Sequence, residues 1–153
     1  MRTPHRAVRL AAVVLLLVAA VAAAGCSSDE TASPAATGAP AETAGYTTVD
    51  VQTAHDAVSA DQSAQLLDVR EPEEWAETGV PDGAVLIPLA EVQSRAPSEL
   101  DAGSPVYVIC RSGNRSRTAS ETLVQLGFGQ VYNVDGGVTA WMDAGLPVQA
   151  YQP

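Results

Sequence analysis

From Tyr46 onward the chain alternates short apolar runs with stretches whose apolar positions recur at helical spacing. "YTTVDV" reads as a first short strand and "TAHDAVSA" as a helix. "AQLLDVR" follows as a buried strand. "EPEEWAET" is then a short helix with Pro72 near its start, where a missing N–H costs nothing, and Gly79 at its end. "AVLIPL" is a strand stopped by Pro88, and "LAEVQSR" a short helix. "PVYVIC" is the clearest strand, continuously apolar and so suited to burial on both faces. Ala119, Leu123 and Leu126 recur at helical spacing, with Gly127 ending the pattern. "QVYNV" is a last strand and "VTAWMDAG" a last helix. Strands alternating with helices predict a single α/β domain over residues 46–150, with a mostly parallel central sheet and helices on both faces. Ligands in such folds sit at the carboxyl ends of strands, and Cys110 lies at one.

The first 45 residues follow a different pattern. Arg2, Arg6 and Arg9 precede an uncharged run from Leu10 to Ala24, then Gly25 and Cys26. A basic segment, an apolar segment and small residues at a cleavage point make residues 1–25 an export signal. Leu10–Ala24 as a helix would reach only about 22 Å, short of a hydrocarbon core of about 30 Å, so a membrane span is the weaker reading. "AAGCSS" resembles a bacterial lipobox, although Ala23 stands where a bulkier aliphatic residue is usual. That resemblance implies that Cys26 is lipidated and anchors the exported chain on the outer side of the cell membrane, with more than one acyl chain making the anchor stable. Residues 26–45, mostly "SSDETASPAATGAPAETAG", contain no large apolar side chain and read as a disordered tether.

With Cys26 consumed, Cys110 is the only thiol left, so the exported domain has no internal disulfide to form. A lone thiol sent to an oxidising compartment is either buried and inert or it has work to do. Charge sharpens the choice. The chain carries −10 overall; without the three signal arginines, 18 acidic residues stand against five arginines, or −13. Such a surface disfavours nucleic acid and anionic lipid headgroups. Yet Arg111, Arg115 and Arg117 are gathered just after Cys110, as a small-anion site requires.

The loop "CRSGNRS" carries the chemistry. A thiol is nucleophilic as its thiolate, and its pKa of about 8.5 drops to ~3.5–7.5 beside a helix N-terminus or cationic groups. Gly113 and Asn114 tolerate left-handed backbone, so the loop can turn successive N–H groups inward as an anion-binding nest at the start of the next helix. With no Cys/His cluster, a metal site has no support, and no cofactor is expected.

"LLDVREPEEWAETGVPDGAVLIPL", "VYVICRSGNRS" and "VYNVDGGVTAWMDAGLPV" resemble, in that order, the three signature regions of a rhodanese-like domain. The resemblance implies a sulfurtransferase in which Cys110 takes a sulfane sulfur from thiosulfate or a persulfide donor and passes it to a thiol or cyanide acceptor. It places Cys110 as nucleophile. Arg111, Ser112, Gly113, Asn114, Arg115 and Ser116 become the loop that holds the transferred sulfur, with Arg111 and Arg115 attracting an anionic donor through paired hydrogen bonds. The turn "GVPDGA" departs from the family pattern at Val80 and Asp82 and reads as structural. Nothing in this chemistry requires more than a monomer.

Other residues have plainer readings. Asp68 and Arg70 flank a strand end as a structural pair, His55 and Arg117 lie on exposed helix faces, Trp75 and Trp141 are core aromatics, and Gly136-Gly137 is a turn into the last helix. Two rival functions share the fold. A cysteine-dependent phosphatase or arsenate reductase needs its loop arginine where this chain has Ser116, one place beyond Arg115. A non-catalytic sulfur-binding or partner-binding module usually lacks the cysteine that this chain keeps.

Overall fold

The apolar run ending at Cys110 is a central strand, and its side chains divide between two covered faces. The computed structural model describes Ala41–Thr43 and residues 45–153. In chain order the strands are β1 (Ala41–Thr43), β2 (Tyr46–Val49), β3 (Gln65–Asp68), β4 (Val80–Pro81), β5 (Val85–Leu86), β6 (Val106–Ile109), β7 (Val131–Val134) and β8 (Val148–Gln149). The helices are α1 (Val51–Ala60), α2 (Pro72–Thr78), α3 (Val92–Glu99), α4 (Asn114–Gln125) and α5 (Gly137–Asp143), with a 3-10 turn at Leu89–Glu91 before α3. The main sheet runs β1-β2-β7-β6-β3-β5 and is parallel throughout except for β1 against β2. β4 and β8 form a separate antiparallel pair. The export signal, Cys26 and the tether as far as residue 40 lie outside the described residues.

Alternation along each strand builds two cores. Val106, Val108 and Cys110 face one side with Leu67, Val69 and Val131, covered by Val92 and Ala96 of α3 and Ala119 and Leu123 of α4. Tyr107 and Ile109 face the other with Leu66 and Val134, covered by Ala54 of α1 and Val138 and Trp141 of α5. Tyr107 and its register partner Tyr132 stack at 4.6 Å, joining β6 to β7 on that face. This is the predicted α/β architecture: helices on both faces of a mostly parallel sheet.

Several elements differ from the sequence pattern. Ala41–Thr43, assigned to the tether from its composition, is placed in register against Tyr46–Thr48, because a strand pairing draws on backbone N–H and C=O groups that any residue supplies. The strand "AVLIPL" shrinks to Val85–Leu86 at the sheet edge. The helix begun at "LAEVQSR" continues through Pro97 to Glu99. An interior proline costs about 3 kcal/mol, and burying Val92 and Leu100 on that segment returns about 1.5–3 kcal/mol each, so packing wins. His55 is only a quarter exposed and meets Trp141 edge-on at 5.6 Å, against the expectation of a solvated face. Trp75 and Trp141 are buried, as read from the sequence. The turn "GVPDGA" holds β4, and an added Cβ at Gly79 (φ +76°) would come 2.5 Å from the Gln149 carbonyl oxygen on β8.

Asp68 and Arg70 are the structural pair expected, and both are buried. Arg70 Nη2 lies 2.6 Å from Asp68 Oδ2 and donates to the Gly79 carbonyl at 2.8 Å, while Nη1 donates to Thr78 Oγ1 at 2.7 Å. One guanidinium thus ties the end of β3 to the end of α2. Replacing Arg70 by Met strands a buried carboxylate, so Arg70→Met is expected to lower unfolding free energy by about 3–5 kcal/mol in urea titration. A loss under about 1 kcal/mol would show that Asp68 finds other partners.

Candidate functional site

β6 stops at Ile109, and α4 begins at Asn114, so the intervening residues must reverse direction within one tight loop. Gly113 supplies the reversal at φ +97°, and an added Cβ there would stand 3.1 Å from Asp135 Oδ1. Asn114, expected to share the left-handed role, is instead the first residue of α4, because one positive-φ residue completes the turn. A second constraint comes from the far side of the sheet end. Val138 N–H donates to the Cys110 carbonyl at 2.8 Å, and Thr139 N–H and Oγ1 donate to the Arg111 carbonyl at 3.1 and 3.0 Å. Both carbonyls are thereby turned toward α5, and the N–H at the other end of each peptide plane turns the opposite way.

The sulfur lies on the side to which the Ser112 N–H turns, with further donors beside it. Gly113 N–H donates to Cys110 Sγ at 3.2 Å, and Ser116 Oγ stands 3.5 Å from it. Burial pushes the Cys110 thiol up, but the hydroxyl and N–H of Ser116 with the N–H groups of Ser112 and Gly113 together push it down further, and the net shift is downward. Cys110 is 1% exposed, more enclosed than a reactive thiol read from sequence is expected to be. The cause is the parity of β6, which points Sγ with Val106 and Val108 toward the α4 side. Beneath the loop, Ser116 Oγ donates toward Asn133 Oδ1 at 2.7 Å, and both residues are fully buried.

The arginines separate. Arg115 is locked to Glu74 of α2 by Nη1–Oε2 and Nη2–Oε1 contacts of 2.6 and 2.7 Å, corresponding to a fork-on-fork pair. Hydrogen bonding from Arg115 holds the Glu74 carboxyl well below the usual range, at about 2. The expectation that Arg115 is free to attract an anion is therefore corrected: its charge is already matched. Arg111 is exposed and enters no ion pair among the described residues. It lines a cavity of about 110 Å³ with Glu77, Thr78, Val138, Thr139 and Met142. Ser112, Asn114 and Arg117 are exposed.

Sequence reasoning missed three residues of this site. Glu74 carried only a helix-start signal, since its carboxylate also closes the α2 capping box on Glu71 N–H at 3.1 Å. Asn133 stood out only as a polar residue inside an apolar strand. Gly137 was read as a turn, but at φ +60° an added Cβ would meet the Arg111 carbonyl oxygen at 2.6 Å, so it is also the point where α5 reaches the loop.

Comparison with known proteins bears on the same region. The family model for the Rhodanese-like domain matches residues 50–144. The putative sulfur carrier protein YrkF of Bacillus subtilis is 45% identical over 84 residues, 55% of this chain and 44% of that protein, so the chain spans less than half of that relative. Thiosulfate sulfurtransferase GlpE of Vibrio cholerae is 36% identical over 102 residues, covering 67% of this chain and 93% of the relative. Among solved structures, a rhodanese-related protein from Thermoplasma volcanium superposes with a TM-score of 0.58 at 34% identity, over 68% of this chain and 98% of that one.

The Glu74–Arg115 pair has a pH signature. A carboxyl whose folded pKa is depressed to about 2 contributes stability that is complete above its unfolded value near 4.5 and is lost as pH falls toward 2. Urea midpoints of the wild type and Glu74→Gln are expected to differ at pH 6 and to converge between about pH 4.5 and 2. A gap unchanged across that window would remove the pair from the protein's acid response.

Proposed function

Since the chain belongs to the rhodanese-like domain family, we propose that it is a sulfurtransferase working through a persulfide on Cys110. The observation that carries this reading is a thiol at the carboxyl end of the central strand, accepting from the Gly113 N–H and held below its ordinary pKa by the N–H groups of the loop together with the Ser116 hydroxyl. Relatives named as sulfurtransferase and sulfur carrier support sulfur transfer in general.

In the proposed reaction the Cys110 thiolate attacks the outer sulfur of thiosulfate. The new S–S bond forms as the old one breaks, sulfite leaves with the bonding pair, and the negative charge moves to the terminal sulfur of the persulfide. The loop N–H groups hold that sulfur as it gains charge. A thiolate or cyanide acceptor then attacks the terminal sulfur and returns Cys110 as thiolate, so the two half-reactions alternate. Arg111 supplies the unmatched positive charge that attracts the donor, and Arg115 shapes the loop through Glu74. The phosphatase alternative is disfavoured because its loop arginine would fall at Ser116 and because Arg115 is engaged by Glu74. We also place the domain outside the cell membrane on a lipidated Cys26, a reading that rests on the sequence of residues 1–26 alone.

Incubation with thiosulfate is expected to add the mass of one sulfur to Cys110 and nothing to Cys110→Ser, with no release of phosphate from a phosphate ester. A wild type that stays unmodified, or an equal adduct on Cys110→Ser, would refute the assignment. Arg111→Gln is expected to raise KM for thiosulfate roughly five- to tenfold while leaving a neutral persulfide donor near wild type, since only the charged donor is steered. Equal losses with both donors would argue that Arg111 shapes the loop. Palmitate labelling that is unaffected by Cys26→Ala would remove the anchor.

A further inference from the structure

Asn133 is a fully buried carboxamide on β7, in register with Val108 of β6 on one side and Thr48 of β2 on the other. Its amide has two recorded partners, Ser116 Oγ at 2.7 Å from Oδ1 and Thr48 Oγ1 at 3.5 Å from Nδ2. Ser116 Oγ in turn lies 3.5 Å from Cys110 Sγ and 3.0 Å from the Gly113 carbonyl oxygen. A hydroxyl has one proton. While it is donated to Asn133 Oδ1, Ser116 can only accept at the sulfur, which suits a protonated thiol. An ionised Cys110 would then face a lone pair.

A half-turn of the carboxamide removes that conflict without moving the core, because the amide occupies the same volume either way. With Nδ2 toward Ser116, the hydroxyl oxygen accepts from the amide, and its proton is freed for an ionised sulfur, whose charge outcompetes the neutral Gly113 carbonyl oxygen at 3.0 Å. Thr48 accommodates both orientations, since its hydroxyl accepts from Nδ2 in one and donates to Oδ1 in the other. Burial of Ser116 and Asn133 keeps water from making the exchange for them.

We infer that Asn133 is a positioning residue whose amide orientation decides whether Ser116 accepts from the Cys110 thiol or donates to its thiolate. The inference rests on Cys110 ionising in use, as in the function proposed above. It assigns to β7 a part in the state of the sulfur on β6. The titratable and charged groups of the surrounding elements include the Arg70–Asp68 pair at the end of β3, the Arg115–Glu74 pair between α4 and α2, Arg117 and Glu121 on α4, Arg111 in the loop, Asp135 after β7 and, on α1, His55 and Asp56. None of these is altered in the variants that test the inference.

The ionisation of Cys110 is read from the pH dependence of iodoacetamide alkylation, with no sulfur donor present. Asn133→Asp offers Ser116 an acceptor only, and is expected to raise the alkylation midpoint by about one unit, an almost tenfold loss of thiolate at any pH well below the midpoint. Part of that rise would come from the new carboxylate's own charge, so the decisive comparison is the same substitution in a Ser116→Ala background. There the shift is expected to be clearly smaller. Equal shifts in the two backgrounds, or no shift in either, would overturn the inference. Should Asn133→Asp not fold, the wild type gives an independent answer. The Asn133 side-chain amide signals in the NMR spectrum are expected to titrate with the Cys110 midpoint, and to stop doing so in Ser116→Ala. Amide signals that stay fixed while Cys110 ionises would equally overturn it. Because neither readout involves sulfur transfer, a protein that fails to take sulfur from thiosulfate leaves this test intact.

Discussion

Two backbone hydrogen bonds organise the site: Val138 N–H to the Cys110 carbonyl and Thr139 N–H to the Arg111 carbonyl. Each fixes a peptide plane, and a peptide plane has two ends. Turning the Arg111 carbonyl toward α5 commits the Ser112 N–H, at the other end of that plane, to the side where the sulfur lies. The contact is possible because Gly137 carries no side chain where the loop backbone arrives. The same bonds hold the first turn of α5 against the end of β6, so the position of a helix on one face of the sheet governs a loop that leads into α4 on the other.

Electrostatics then divides the arginines by neighbour. Arg70 is buried against Asp68, Arg95 is held between Glu91 and Glu99 on an exposed helix face, and Arg115 is forked onto Glu74. Of the five arginines among the described residues, two enter no ion pair: Arg111 beside the cysteine and Arg117 on the exposed face of α4. Local sequence density overstated the positive charge on offer. Of the two loop arginines nearest the sulfur, the second is an architectural strut between α4 and α2, while the first opens onto solvent.

How much of this the sequence made legible follows from how local each signal is. "PVYVIC" declares a strand buried on both faces, because every residue in it is apolar, and Gly113 declares a turn, because only glycine is comfortable at φ +97°. Those two together place Cys110. The Glu74–Arg115 pair spans 41 positions, and nothing in either neighbourhood marks the partner. β4 and β8 are two residues each, too short for any period to register. Asn133 shares the same limitation: it is an ordinary polar residue until the β6–β7 register sets it against Ser116, a loop residue the sequence did mark, beneath the sulfur.

The burial of Cys110 and its lowered pKa look opposed, and the resolution is physical. Taking a thiolate out of water disfavours it, and that contribution is the largest single influence on Cys110. The backbone N–H donors that replace water are already oriented by the loop and by α5, so they need no reorganisation when charge appears, and in a low-dielectric surrounding each acts more strongly than it would in solvent. The order of those effects matters. A flexible loop with the same composition would lose the hydrogen bonds to thermal motion and keep the desolvation cost, leaving a neutral, inert cysteine. Rigidity conferred by Gly137, Gly113 and the Arg115–Glu74 strut is therefore what turns a buried sulfur from a small hydrophobe into an acid.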